Sequence, residues 1–97
     1  SLSPWMIMAR VKVKLSTAIL DKRSEVDIEA DHVKDALWEA TERFSGKIKG
    51  RIFDDEGTFN KFLDVFVNGR NIHLLAGLDT VLRDGDSITV LRAVSGG

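Results

Sequence analysis

Apolar and charged residues alternate strictly along two stretches near the start of the chain. Residues 10–15 alternate arginine or lysine with valine or leucine, and residues 24–30 alternate carboxylates with apolar residues. A period of two predicts half-buried strands that turn their apolar side chains to a core and their charges to water. Paired antiparallel around the loop 16–23, the strands would set cations opposite carboxylates, and each such pair contributes about 0.2–1 kcal/mol.

After residue 30 the spacing of apolar residues changes to that of a helix. One apolar stripe at this spacing is formed by Val33, Ala36, Leu37, Ala40 and Phe44. Asp31 is the predicted N-cap, because its carboxylate can accept from the free amides of the first turn. Gly46 is predicted to end the helix in a left-handed conformation. Trp38 lies beside the stripe, so its indole is expected over the edge of the core.

Residues 45–61 are rich in glycine and charge, which predicts an irregular segment. Its acidic run, residues 54–56, lacks the alternating ligand spacing of a calcium loop. We therefore expect a solvated turn there and no metal site.

Short strands and turn signals follow. Residues 63–67 predict a strand with its apolar side chains inward, and Asn68-Gly69 predicts a tight turn because both residues tolerate positive φ. A short returning strand is predicted for residues 71–74, and a compact crossing turn for residues 76–82.

The last strand is predicted for residues 87–91, after a turn at residues 84–86. The order ββαβ(β)β indicates an α+β domain with a mixed sheet of four to five strands. The last strand can lie beside the first only as a central parallel neighbour, with one main helix across one face of the sheet.

Composition narrows the classes of partner. The 97 residues are the size of one domain, and the net charge of −1 gives no global field that attracts nucleic acid. No apolar run approaches the roughly 20 residues that span a bilayer, so we expect neither a nucleic-acid nor a membrane partner. The sequence contains no cysteine, which fits a reducing compartment, and a cytoplasmic location is expected.

Residues 1–7 are expected to be an N-terminal extension of a single domain spanning residues 8–97. They lack the charged region that opens a signal peptide. Met6 or Met8 is a candidate native start, in which case the residues before it would derive from cloning.

The sequence carries few signs of internal catalytic chemistry. His32 and His73 have no glutamate or second histidine at metal-ligand spacing. A nucleophile elbow, a phosphate-binding loop and a dinucleotide fingerprint are also missing from the sequence. We expect a protein that binds no metal or cofactor and is not an enzyme on its own.

The sequence ends in Gly96-Gly97. Without Cβ atoms such a tail can thread a narrow channel and bring its backbone close to a partner's catalytic groups. The terminal carboxylate would be the reactive group, activated as an acyl-adenylate for attack by sulfide, thiol or amine. Phe66 and Leu91 fall on the outward faces of their predicted strands, so they and the adjacent Arg92 either form a docking patch or are covered by the long loop.

Four stretches together resemble the MoaD/ThiS family of sulfur carriers. They are VFVNGRNI at 65–72, GLDT at 77–80, LRDGD at 82–86 and AVSGG at 93–97. The likeness is densest over residues 53–97, and it is greatest to the small subunit of molybdopterin synthase and to the archaeal small modifier proteins.

The resemblance implies a ubiquitin-like β-grasp fold and a sulfur-carrier function. An E1-like enzyme would use ATP to adenylate the Gly97 carboxylate, which is then converted to a thiocarboxylate. The tail residues Val94, Ser95 and Gly96 would enter the large subunit of molybdopterin synthase, where the sulfur passes to the pterin precursor.

Two further implications concern the surface next to the tail. Phe66 and Leu91 match the outward apolar positions that the family and ubiquitin use for docking. Many relatives have a proline before the tail, whereas this chain has Arg92 and Ala93.

Other functions remain open at this point. The chain could be a protein modifier joined to target lysines through Gly97, or a carrier that feeds thiamine, cysteine or tRNA thiolation. It could also be a plain interaction module in which the terminal glycines have no chemical role.

Overall fold

The computed structural model describes residues 8–16, 24–44 and 46–93. The expected N-terminal extension 1–7 therefore lies outside the described residues. The strands and helices are β1 (Arg10–Leu15), β2 (Ser24–Glu29), α1 (Val33–Arg43), α2 (Gly46–Ile52), β3 (Leu63–Val67), β4 (Arg70–Asn71) and β5 (Ser87–Arg92). Two short 3-10 turns, Ile72–Leu74 and Gly77–Asp79, lie between β4 and β5.

The strands form one mixed sheet in the order β2-β1-β5-β3-β4. β5 pairs with β1 in parallel, and the other neighbouring strands pair antiparallel. This arrangement confirms the predicted α+β class and the position of the last strand beside the first. Within this parallel pair, β1 is joined to β5 by the long connection that contains both helices.

The β1–β2 hairpin has the register that the charge pattern predicts. Lys12 lies opposite Asp27, Lys14 opposite Glu25 and Arg10 opposite Glu29. The Arg10 guanidinium is 3.2 Å from the Glu29 carboxylate. Both side chains are exposed, so this ion pair specifies the register more than it stabilises the fold.

One apolar core lies between the sheet and the helices. The predicted stripe of α1 is buried, with Phe44 partly buried at its end. The strands contribute buried side chains at every second position: Val11, Val13, Leu15, Ile28, Leu63, Val65, Val67, Ile88 and Val90.

The predicted N-cap of α1 is wrong. His32, not Asp31, is the cap residue, and it is extended (φ −132°, ψ 153°) without a side-chain cap bond. The segment Thr80–Leu82 runs antiparallel beside it. The Val33 amide donates to the Thr80 carbonyl at 3.0 Å, and the Leu82 amide donates to the Asp31 carbonyl at 2.8 Å. A tertiary pairing thus satisfies part of the backbone that a capping side chain would serve.

The predicted end of α1 is also wrong. The helix ends at Arg43, and Phe44 is extended (φ −90°, ψ 170°), whereas Gly46 begins α2. Residues 45–61 are therefore not wholly irregular. The usable signal was the spacing of Ile48 and Ile52, which are four residues apart and both buried. The glycines in this segment, which disfavour helices, obscured that spacing.

α2 delivers Phe53 to the core, where it contacts two other aromatic rings. Its ring centroid is 5.1 Å from that of Trp38 and 5.7 Å from that of Phe59, both edge to face. Trp38 is 38% exposed, and the Lys49 ammonium lies 4.1 Å from its ring centroid. The indole covers the core edge, as expected. No helix in the described ranges is long and apolar enough to cross a membrane.

The predicted returning strand is shorter than expected. Only Arg70 and Asn71 pair with β3, and Ile72–Leu74 form a 3-10 turn instead. The Asn71 side chain accepts from the His73 amide at 2.9 Å. This local side-chain bond turns the chain away from the ladder, while Ile72 is buried.

Phe53→Ala is expected to lower the free energy of unfolding by about 3–5 kcal/mol, because it removes a fully buried ring with two aromatic contacts. Phe62→Ala, at an exposed position, is the matched control and should change the free energy by less than about 0.5 kcal/mol. Urea denaturation followed by circular dichroism measures both. Equal effects of the two substitutions would contradict the described core.

Candidate functional site

The candidate tail begins where β5 ends. The Ala93 amide donates to the Phe62 carbonyl at 2.7 Å, and Ala93 is the last described residue. The predicted reactive residue Gly97 and the tail 94–96 lie outside the described residues. The structure therefore places Ala93, the residue before the candidate tail, directly after the end of the central strand.

β5 is held in register from both sides. Val90 lies opposite Leu15 of β1 and opposite Val65 of β3. All three side chains are buried. A slip of one residue would turn the buried face of β5 toward water, so the register is strongly specified. The root of the tail is consequently fixed relative to both neighbouring strands.

The Asn68-Gly69 turn also locks the start of β5. Asn68 and Gly69 have positive φ values of 52° and 83°, which confirms the predicted tight turn. The Asn68 side chain donates to the Asp86 carboxylate at 2.8 Å and accepts from the Ser87 amide at 2.9 Å. One of the sequence motifs that carry the family resemblance thus has a structural role, which is to tie the β3–β4 turn to β5.

The turn at residues 84–86 ties β5 to β1. The Arg10 amide donates to the Asp84 carboxylate at 2.9 Å, and the Gly85 amide donates to the Arg10 carbonyl at 3.0 Å. The second carboxylate oxygen of Asp86 accepts from the Arg83 amide at 2.8 Å. This second motif therefore aligns the first residues of the two central strands.

Phe66 and Leu91 lie together on the sheet face that points away from α1. Phe66 is opposite Thr89, and Leu91 is opposite Asp64, so the two apolar residues are diagonal neighbours. Such neighbours have Cα atoms about 7–8 Å apart, within reach of an aromatic side chain. Leu91 is 40% exposed and Phe66 is half-buried. Here the term sheet-face patch means Phe66 and Leu91.

Arg92 does not share that face. It pairs with buried Leu63, and alternation along β5 turns it to the side opposite Leu91. Arg92 is exposed at the margin of the sheet. The structure thus brings together two of the three residues predicted for the docking patch.

Phe62 is a surface residue that the sequence analysis missed. It is 62% exposed, its carbonyl holds Ala93, and the Lys61 ammonium lies 5.4 Å from its ring centroid. The available signal was the period of two that links it to Asp64 and Phe66. Because the preceding residues were assigned to a loop, the alternation was not followed back to Phe62.

Other candidate chemistry on the described residues is structural. One Asp54 oxygen accepts from the Glu56 amide at 2.8 Å and the Thr58 amide at 2.9 Å, which closes the acidic run into the predicted solvated turn. The His32 ring nitrogen lies 3.7 Å from the Asp35 carboxylate on the surface. Across residues 8–16, 24–44 and 46–93, no three His, Cys, Asp or Glu side chains are grouped so as to hold a metal ion.

A five-stranded mixed sheet in this order, with one main helix across a face, defines the ubiquitin-like β-grasp class. Residues 13–97 match the ThiS family, and the chain belongs to that family of small sulfur carriers.

Two relatives are similar in sequence over most of their lengths. A putative sulfur carrier protein of Archaeoglobus fulgidus is 33% identical over 87 residues, covering 90% of this chain and 98% of the relative. The sulfur carrier protein CysO of Mycobacterium tuberculosis is 31% identical over 77 residues, covering 77% and 82%.

Solved structures agree with this assignment. The small archaeal modifier protein 1 of Methanosarcina acetivorans has a TM-score of 0.78 and 33% identity, with 93% of this chain and 98% of that chain covered. The Amycolatopsis orientalis BexX/CysO complex gives 0.70 and 28%, covering 90% and 99%. A putative molybdopterin converting factor subunit 1 from Pyrococcus furiosus gives 0.60 and 27%, covering 89% and 99%.

Asn68→Ala is expected to lower the free energy of unfolding by about 1–3 kcal/mol, because it removes two side-chain bonds and places a Cβ-restricted residue at positive φ. Asn68→Gly separates these causes, since glycine keeps the backbone conformation and loses only the side chain. We expect Asn68→Gly to lie between the wild type and Asn68→Ala in urea denaturation. Wild-type stability of both variants would rule out the proposed lock.

Proposed function

We propose that this chain is a sulfur carrier whose Gly97 carboxylate is activated and converted to a thiocarboxylate. One observation carries the proposal. The central strand β5, fixed by ladders on both sides, ends at Arg92 beside the sheet-face patch, and Gly96-Gly97 follow only a few residues further along the sequence. Membership of the ThiS family supports the same chemistry.

The proposed activation uses only the carboxylate of this chain. A Gly97 carboxylate oxygen attacks the α-phosphorus of ATP bound to an E1-like enzyme, and pyrophosphate leaves. Hydrosulfide then attacks the acyl carbon, the C–S bond forms, and AMP leaves with the electrons of the broken C–O bond, while the S–H proton is lost to solvent to give the thiocarboxylate. ATP binding and the catalytic groups are assigned to the partner, because the carboxylate is the only part of the carrier that has to react.

The sheet-face patch is the proposed docking surface for these enzymes. Phe66 and Leu91 supply apolar area at its centre, and Asp64 and Thr89 supply polar groups around it. Apolar anchors within a polar rim are typical of protein interfaces. Phe62 extends this surface toward the tail, whereas Arg92 is proposed as a rim contact on the other side of the tail root.

Molybdopterin synthesis is the acceptor pathway that we propose first, with this chain as the small subunit that donates sulfur inside a large subunit. The motifs at 65–72 and 82–86 and the likeness to the Pyrococcus furiosus protein support it. The chain would then act in the cytoplasm and would not be an enzyme by itself. A CysO-type carrier pathway is supported by the Mycobacterium relative.

Conjugation to proteins is the second candidate function. The likeness to the Methanosarcina modifier protein, at a TM-score of 0.78, favours it. A target lysine amine would attack the same acyl carbon and displace AMP, leaving an isopeptide bond at Gly97. Lysine-linked adducts recovered from cells distinguish this function from a carrier that acts through the thiocarboxylate alone.

Deletion of Gly97 is expected to abolish sulfur loading without unfolding the domain. Intact mass is measured after incubation with an E1-like enzyme, ATP and a sulfur donor, and the wild type should gain the mass difference between sulfur and oxygen. The melting temperature should be unchanged, because a tail after the last strand has few buried contacts. No mass gain in the wild type with its cognate activating enzyme would refute the carrier proposal.

Leu91→Asp is expected to raise the Kd for the activating enzyme by about tenfold or more, because an unpaired carboxylate in an apolar interface is costly to desolvate. Val81→Asp is the matched control. Val81 is 67% exposed but pairs with His32 at the other end of the sheet. Isothermal titration calorimetry measures both variants, and equal weakening by the two would remove the sheet-face patch from the interface.

A further inference from the structure

β2 is an edge strand of the described sheet. It pairs with β1 and, within the described part of the chain, with no other strand. At six residues it is long enough to accept another strand, and unpaired strand edges are templates for strand addition.

The hydrogen-bond phase of the hairpin identifies which backbone groups face the free side. The Ala30 amide donates to the Ala9 carbonyl, so the ladder bonds of β2 fall at Ala30, Ile28 and Val26. The N–H and C=O groups of the alternate residues, Glu25, Asp27 and Glu29, point away from β1. β1 shows the same alternation. The amide of Lys12, which lies opposite Asp27, points away from β2 and donates to the Asp86 carbonyl in the turn before β5.

An open groove runs between this edge and α1. It encloses about 460 Å³ and is lined by Arg10, Asp27, Ile28, Glu29, Glu39 and Arg43. β2 forms one wall, and the last turns of α1 form the other. An extended chain placed along β2 would therefore meet charged side chains on both walls, with partly exposed Val26 as the apolar side chain of β2 that it can contact.

The charge pattern of β2 indicates which kind of strand can pair with its edge. The residues with free backbone groups are all acidic, and their side chains are exposed. A second copy pairing through the same edge would set carboxylates directly opposite carboxylates, which is destabilising. A strand with basic residues at alternate positions would instead continue the cation–carboxylate pairing already seen between β1 and β2.

We propose that the free edge of β2 binds an extended segment of a partner protein in which basic and apolar residues alternate, adding a sixth strand to the sheet. Its basic side chains face Glu25, Asp27 and Glu29. Its apolar side chains face the groove beside half-buried Val26, next to the point where Ile28 enters the core. The site is separated from the tail root by β1, so it can be occupied while the tail is engaged elsewhere.

The test uses the full chain labelled with ¹⁵N and a peptide of alternating lysine and valine, six residues long. Strand addition predicts an alternating signature. The amides of Glu25, Asp27 and Glu29 should shift and become protected from hydrogen exchange, while those of Val26 and Ile28 are already protected without peptide. A peptide with glutamate in place of lysine should bind at least about tenfold more weakly.

Asp27→Pro and Asp27→Asn are the matched variants. Proline removes the edge-facing N–H without touching the ladder to β1 and should abolish binding, whereas asparagine keeps the N–H and should weaken binding only severalfold. Unchanged shifts at Phe66 and Leu91 verify the fold of each variant.

Three results would overturn the proposal. The first is peptide-induced shifts that lack the alternation or that centre on the sheet-face patch. The second is protection of Glu25, Asp27 and Glu29 in the dilute free chain, which would show that the chain covers its own edge. The third is protection of these amides only at high protein concentration, where the measured mass is that of a dimer. None of these results depends on sulfur loading, which is measured separately.

Discussion

The parallel pairing of β1 with β5 is the constraint on which the rest of the structure depends. Parallel neighbours cannot be joined by a tight turn, so everything between them, including both helices and the three other strands, forms the connection. Burying Val13 and Ile88 side by side places β5 in the centre of the sheet. The strand that precedes the tail is therefore the central one of the five.

The sequence motifs that carry the family resemblance hold this arrangement of strands in place. Asn68 ties the β3–β4 turn to β5, and Asp84 ties the β5 entry to β1. These bonds set the register of β5, and the register sets where the chain leaves at Ala93. Ala93 and the sheet-face patch are consequently held in a fixed relation by the turns at the other end of β5.

The sequence predicted what depends on local period and turn chemistry. Strict alternation located β1, β2 and β3, and Asn68-Gly69 located the turn. The prediction failed where contacts between distant segments of the chain determine the local structure. The cap at His32 depends on pairing with Thr80–Leu82, some fifty residues away, and α2 forms because Ile48 and Ile52 find the core despite their glycine neighbours. Arg92 lies on the other side of β5 from Leu91, because side chains alternate along a strand.

The central position of β5 has a mechanical consequence. A force applied to the tail acts along the strand, and the hydrogen bonds to β1 on one side and β3 on the other lie across that direction. Such a force shears both ladders together rather than opening bonds one at a time. The domain should therefore resist a pull on Ala93 as one stiff unit, because both ladders must break before β5 moves.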